Sequence, residues 1–263
     1  MNRHIHPTLG RAGAIAACAA AAGLMLAACG GSSSPSSSSG STKSTGTSPA
    51  SKSTSSSSTS SVVASNSVPF PIAVGNTWTY DQTASFGSLA GGTVVNKVLT
   101  VTPVSGGNQV TMSNQIGSNA PTDITYIFNS NGTITYPFNQ LGSDVKIISG
   151  TIEWPSATSI DAGQTSTSTV VMALTSNGST QDVTAHMTVK GDGTTSVTVP
   201  AGTYTATVVQ MTESFTILGH SSTLVVKTYM ANGVGPVEEE GTIDLAGVND
   251  TVSELKLVSF TQG

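Results

Sequence analysis

From Val68 onward the apolar and polar positions alternate with a period of two, which places one set of side chains on each face of an extended strand. Trp78 and Tyr80 share a face. So do Ile124, Tyr126 and Phe128, and then Ile134, Tyr136 and Phe138. Val197 and Val199 keep the pattern, followed by Tyr204, Ala206 and Val208. The phase slips there and resumes as Val209 and Met211, with Phe215 and Ile217 beyond. One extra residue in a strand, a β-bulge, accounts for such a slip. Leu255 and Leu257 end the series. Thr and Val fill the intervening positions, as suits a pleated, half-buried surface.

Turn signals separate these runs. Ser130-Asn131-Gly132 stands between two aromatic runs, and Ser176-Asn177-Gly178 has a similar context. Asn-Gly supplies the positive φ that tight hairpins need. Gly191-Asp192-Gly193, Pro200-Ala201-Gly202 and Asn232-Gly233 read as further breaks. No stretch of a dozen residues combines helical periodicity with helix-forming composition. The pattern predicts an all-β fold of about ten to twelve antiparallel strands in a curved meander, as a barrel, half-barrel or sandwich.

The N-terminal part has a different pattern. Arg3 and Arg11 precede an uncharged run from Ala12 to Ala28 that is mostly Ala, Leu, Ile and Met. These are the parts of an export signal. The run is shorter than the roughly 20 apolar residues of a spanning helix, although a retained anchor is the alternative. It ends in Leu26-Ala27-Ala28-Cys29, which resembles the lipobox of bacterial lipoprotein precursors. The resemblance implies cleavage after residue 28 and lipidation of Cys29. The other cysteine, Cys18, fits the pattern less well. With Cys29 acylated, no disulfide remains, so the folded part must stand on packing. Multiple acyl chains, at about 0.8 kcal/mol per buried CH₂, hold a protein on a membrane durably. The implied location is the cell envelope, and Gly30 after the cysteine implies the outer membrane if the cell is Gram-negative.

Residues 29–67 hold the lipidated cysteine and then almost only Ser, Gly, Thr, Pro, Ala and Lys. Such a segment cannot bury enough surface to offset its ordering entropy. It is expected to be a disordered linker whose ends lie about 30–40 Å apart; an O-glycosylated stalk is the alternative. All 13 aromatic residues follow it, which marks 68–263 as one all-β domain of adequate core size. That domain has five lysines, 14 acids and no arginine. Nucleic-acid partners are therefore not expected, because polyanion surfaces need clustered Lys and Arg.

A second resemblance rests on three segments: Pro71-Ile72-Ala73-Val74-Gly75-Asn76-Thr77-Trp78-Thr79-Tyr80, then Val197-Thr198-Val199-Pro200-Ala201-Gly202-Thr203-Tyr204, then Gly233-Val234-Gly235-Pro236-Val237. Together they are similar to landmarks of a group of uncharacterised β-rich bacterial lipoproteins. The resemblance implies a fold and a compartment, and no activity.

Candidate chemistry is sparse. His186 and His220 are the only histidines after residue 6. They form no short-range metal pattern, and no thiolate is available. There is no G-x-S-x-G elbow and no phosphate-binding glycine loop. No catalytic residue, cofactor or metal site is therefore expected, and no enzymatic activity, although a triad assembled from distant residues is recognised only by geometry. Glu238-Glu239-Glu240, near Asp244, is the densest charge. On a strand its members alternate faces, and the plain reading is a charged, protected edge strand. Trp78, Tyr80, Tyr126 and Phe128 are the candidates to face an apolar ligand, against core packing. The expected function is a membrane-anchored, non-enzymatic envelope lipoprotein that binds an apolar small ligand or an envelope partner. The alternatives are a structural or surface-interaction protein without a cavity and, behind it, a hydrolase.

Overall fold

The computed structural model describes residues 70–84, 91–136, 145–176, 179–217, 220–245 and 248–263. The signal segment, Cys29, the linker, Phe138 and Asn177-Gly178 lie outside them.

Among the described residues, period-two alternation produces strands where it was read. The order begins with β1 (Thr77–Ala84), β2 (Gly92–Val104), β3 (Gly107–Ile116), β4 (Thr122–Asn129) and β5 (Ile134–Tyr136). Two short strands follow, β6 (Val145–Ser149) and β7 (Ile152–Trp154), and then one short helix, α1 (Ala157–Asp161). The rest is β8 (Thr165–Ser176), β9 (Ser179–Val199), β10 (Gly202–Ile217), β11 (His220–Ala231), β12 (Gly235–Leu245) and β13 (Val248–Thr261). Helix α1 starts where the Ser156 hydroxyl accepts the amide of Ser159, a standard cap.

The 13 strands among the described residues form one antiparallel sheet, ordered β6-β8-β9-β10-β11-β12-β13-β1-β2-β3-β4-β5-β7. The chain is thus a meander whose first strand pairs with its last. The architecture is a single unclosed sheet, not a sandwich, and it has slightly more strands than the alternation predicted. The bulge is present: the β9–β10 register shifts between Thr207 and Val209, which leaves both Val208 and Val209 buried. Gly132 closes the β4–β5 turn at φ 85°, and the Asn131 carboxamide oxygen accepts the amide of Thr133 at 3.0 Å. One predicted break is corrected. Gly191-Asp192-Gly193 lies inside the 21-residue β9, because β10 pairs with both sides of it and carries the ladder across.

The sheet curls over its inner face. Tyr126 on β4 and Glu239 on β12 have four strands between them in the sheet order, yet the Glu239 charge acts on the Tyr126 phenol. The two edge strands, β6 and β7, are separated only by Gly150 and Thr151. The chain therefore brings the two free edges together without pairing them. At this seam a Cβ on Gly150 would lie 2.2 Å from the Thr169 carbonyl oxygen of β8, so only glycine fits.

Asn76 fastens the chain's C-terminal end into this frame. Its Nδ2 donates to Pro71 O at 3.0 Å and its Oδ1 accepts from Gly263 N at 3.0 Å. Its backbone carbonyl accepts from Val98 N at 2.9 Å. The residue is 2% exposed. Asn76→Ala is expected to cost about 1–3 kcal/mol, since it strands polar groups in a mostly dry setting. A urea midpoint equal to that of the parent chain would refute this role.

Candidate functional site on the inner face

The inner face is lined by alternate residues of every long strand. Trp78 and Tyr80 are fully buried, and Tyr126 and Phe128 nearly so. Trp78 stacks between Phe70 and Phe260, with centroids 4.8 and 5.1 Å away. Its indole donates to Val234 O at 2.6 Å. The Tyr80 hydroxyl donates to Pro236 O at 3.0 Å. Phe70 also meets Phe128, which sits edge-on to Tyr126, and Tyr126 tilts against Tyr136. The four candidate aromatics thus belong to one cluster inside the curl. Burial pushes the phenols of Tyr80 and Tyr126 above their ordinary range, and the nearby Glu239 charge adds to the effect. All five methionines that follow the linker face this interior as well: Met112, Met172, Met187, Met211 and Met230 are buried.

Two carboxyl groups share that interior. Glu239, on β12, is 1% exposed. Among the described residues it accepts one long hydrogen bond, from the Thr228 hydroxyl at 3.4 Å. Burial raises its pKa to about 8, against the smaller lowering effect of Thr228. Glu213, on β10, is equally buried, and neither carboxyl oxygen has a hydrogen-bond partner among the described residues. Burial raises its pKa to about 8. Sequence reasoning missed Glu213. The signal was present, since Glu213 occupies the inward phase between Met211 and Phe215.

The acidic triplet is corrected in turn. Strand β12 is interior to the sheet, paired with β11 and β13, so it is no protected edge. Alternation sends Glu239 inward and Glu238 and Glu240 outward. There they meet Glu254 of β13, the three carboxylates offering oxygens within 4.8 Å of one another. Lys256 already sits among them, 2.6 Å from Glu254 and 3.7 Å from Glu238. Asp244 faces Thr223 and Asn249 across the ladders. His186 is exposed on β9, with Nδ1 3.2 Å from the Thr169 hydroxyl. His220 begins β11, opposite Ile217.

A polar cleft of about 210 Å³ marks the seam between β7 and β8. Thr133, Glu153, Ser156, Ser159, Gln164 and Ser166 are among the residues that line it. It is open to solvent and carries one carboxylate among hydroxyls and an amide.

Comparison with known proteins agrees with this fold. A protein of Parabacteroides distasonis described as a lipoprotein superposes with a TM-score of 0.50 at 16% identity, covering 73% of this chain and 98% of that one. A protein of Bacteroides fragilis described as exported, with a YmcC-like fold, gives 0.48 at 16% identity over the same shares. YmcC of Escherichia coli, described as a hypothetical lipoprotein, gives 0.37 at 10% identity, over 70% of this chain and 84% of that one. No curated protein sequence matches the chain. Residues 73–244, most of the sheet from the turn before β1 into β12, match the DUF3108-like family, and the chain therefore belongs to that family.

Proposed function

We propose that this protein is a lipid-anchored, non-enzymatic component of the cell envelope whose curled sheet holds an apolar small molecule. The observation that carries the reading is the inner face itself: a largely apolar face, rich in methionine and aromatic side chains, under a sheet left unclosed at one seam. Curved sheets of this kind can enclose apolar ligands, and methionine packs adaptably around irregular shapes. The anchor is supported by Leu26-Ala27-Ala28-Cys29 and by the description of two similar structures as lipoproteins. The outer membrane is the location if the cell is Gram-negative. A second reading, a surface-interaction protein without a ligand, is favoured by the Phe70–Trp78–Phe260 stack, which fills part of the interior with its own side chains.

Two measurements test the proposal. Cys29→Ser is expected to abolish incorporation of labelled fatty acid and to leave an unlipidated precursor or a soluble product. Unchanged labelling of that variant would refute the anchor. Mass spectrometry of the membrane-extracted protein is expected to find a co-purifying apolar molecule. If none exceeds a detergent-matched control, the ligand reading fails and the second one stands.

A further inference from the structure

Two polar groups inside the sheet have no partner among the described residues. Both carboxyl oxygens of Glu213 and the hydroxyl of Ser222 are buried without a hydrogen bond. They are neighbours. Glu213 of β10 stands opposite Leu224 of β11, and Ser222 is two residues along from Leu224, opposite Phe215. Both point inward, so they form a diagonal pair on one face, a separation of about 7–8 Å with the Cβ atoms somewhat closer. A glutamate side chain spans much of that gap, and one donor group between them could bond to both.

Buried polar groups in native proteins nearly always find a partner, and each exception calls for an explanation. Among the described residues no cation lies here, and the side chain of His220, two residues before Ser222, is outside them. The chain's only arginines are Arg3 and Arg11. Lys97, Lys146, Lys190, Lys227 and Lys256 all keep contact with solvent. The face around Glu213 is apolar: Met187 and Leu224 flank it across the ladders, and Met211 and Phe215 share its strand. Unbranched methionines yield to a guest more readily than branched side chains. The pair also lies close to one end of the sheet. Ser222 is two residues from the start of β11, and Glu213 four from the end of β10.

We propose that Glu213 and Ser222 anchor the head group of the ligand, and that the ligand is an apolar molecule ending in a primary amine. The ammonium supplies the donors and the charge that the protein withholds, while the alkyl part displaces Met187 and Met211 and lies along the inner face. The assignment rests on the apolar-ligand reading above and adds the chemistry of the head group.

The test uses the full chain carrying Cys29→Ser, titrated calorimetrically near neutral pH with dodecylamine, dodecanol and lauric acid, each below its micelle concentration. Dodecylamine is expected to bind about ten- to a hundredfold more tightly than dodecanol, the range a charge-assisted hydrogen bond provides. Glu213→Gln, which keeps the volume and removes the charge, should abolish that preference, and Ser222→Ala should reduce it. Circular dichroism checks that both variants fold, and Glu213→Leu serves as a second probe should Glu213→Gln fail to fold. Equal binding of the three compounds, unaltered by the variants, would overturn the amine anchor and leave the apolar-ligand reading standing. No binding of any of them would overturn both.

Discussion

Trp78→Ala is expected to be the most damaging single substitution in this protein. The side chain is fully buried, stacked between Phe70 and Phe260, and hydrogen-bonded to Val234 O. It therefore joins the segment before β1, the β11–β12 turn and the last strand. Truncating a buried large aromatic costs about 3–5 kcal/mol, because the cavity collapses only in part. That is a large share of a domain stability of roughly 5–15 kcal/mol. Thr79 points to the opposite face and is half-buried, so Thr79→Ala should cost less than about 1 kcal/mol. Urea denaturation of the two variants in the Cys29→Ser background separates them. Equal midpoints would mean that the indole is not part of the load-carrying core.

The second large effect is on pH dependence, and its sign is unusual for carboxylates. Glu213 and Glu239 have folded-state pKa values near 8, against an ordinary value of 4.5. Between those limits the folded protein holds protons that the unfolded chain releases. Stability is therefore greatest below about pH 4.5, falls as pH rises toward 8, and levels off above it. The loss is on the order of a few kcal/mol per group. Glu239 faces the phenols of Tyr80 and Tyr126 and the Thr228 hydroxyl. Glu213 faces Met187 and Leu224 across its ladders, and none of these neighbours brings a compensating positive charge. Glu254, lowered by Lys256, acts in the opposite sense, but a solvent-exposed pair contributes little. Glu213→Leu in the ligand-free protein should stabilise it, by more at pH 8 than at pH 4. The same gain at both pH values, measured by denaturant midpoints, would show that Glu213 does not titrate in the interior.

The sequence by itself determined which side chains share a face. Strand geometry sends neighbours to opposite sides, so the inward set containing Trp78, Tyr80, Tyr126 and Phe128 could be read locally, as could the bulge at Val208-Val209 and the turns at Gly132, Gly202 and Gly233. Glu213 and Glu239 were legible in the same way, since each occupies the inward phase of its strand. Their charge argued for solvent, and the phase prevailed because the flanking apolar residues, Met211 with Phe215 and Val237 with Ile243, gain more by burial than one protonated carboxyl loses. Tertiary structure alone decided how the meander joins its two ends and which strands are left at its edges. That Glu239 lies on an interior strand follows from β12 pairing with both β11 and β13, and that β1 meets β13 follows from contacts between the two ends of the folded region. The continuity of β9 through Gly191-Asp192-Gly193 depends likewise on its partner strand. So does the seam between β6 and β7, and with it the approach of β4 to β12 that encloses Glu239. Alternation is dictated by adjacent residues, whereas the joining of β1 to β13 and the curl depend on contacts more than a hundred residues apart, which no local pattern encodes.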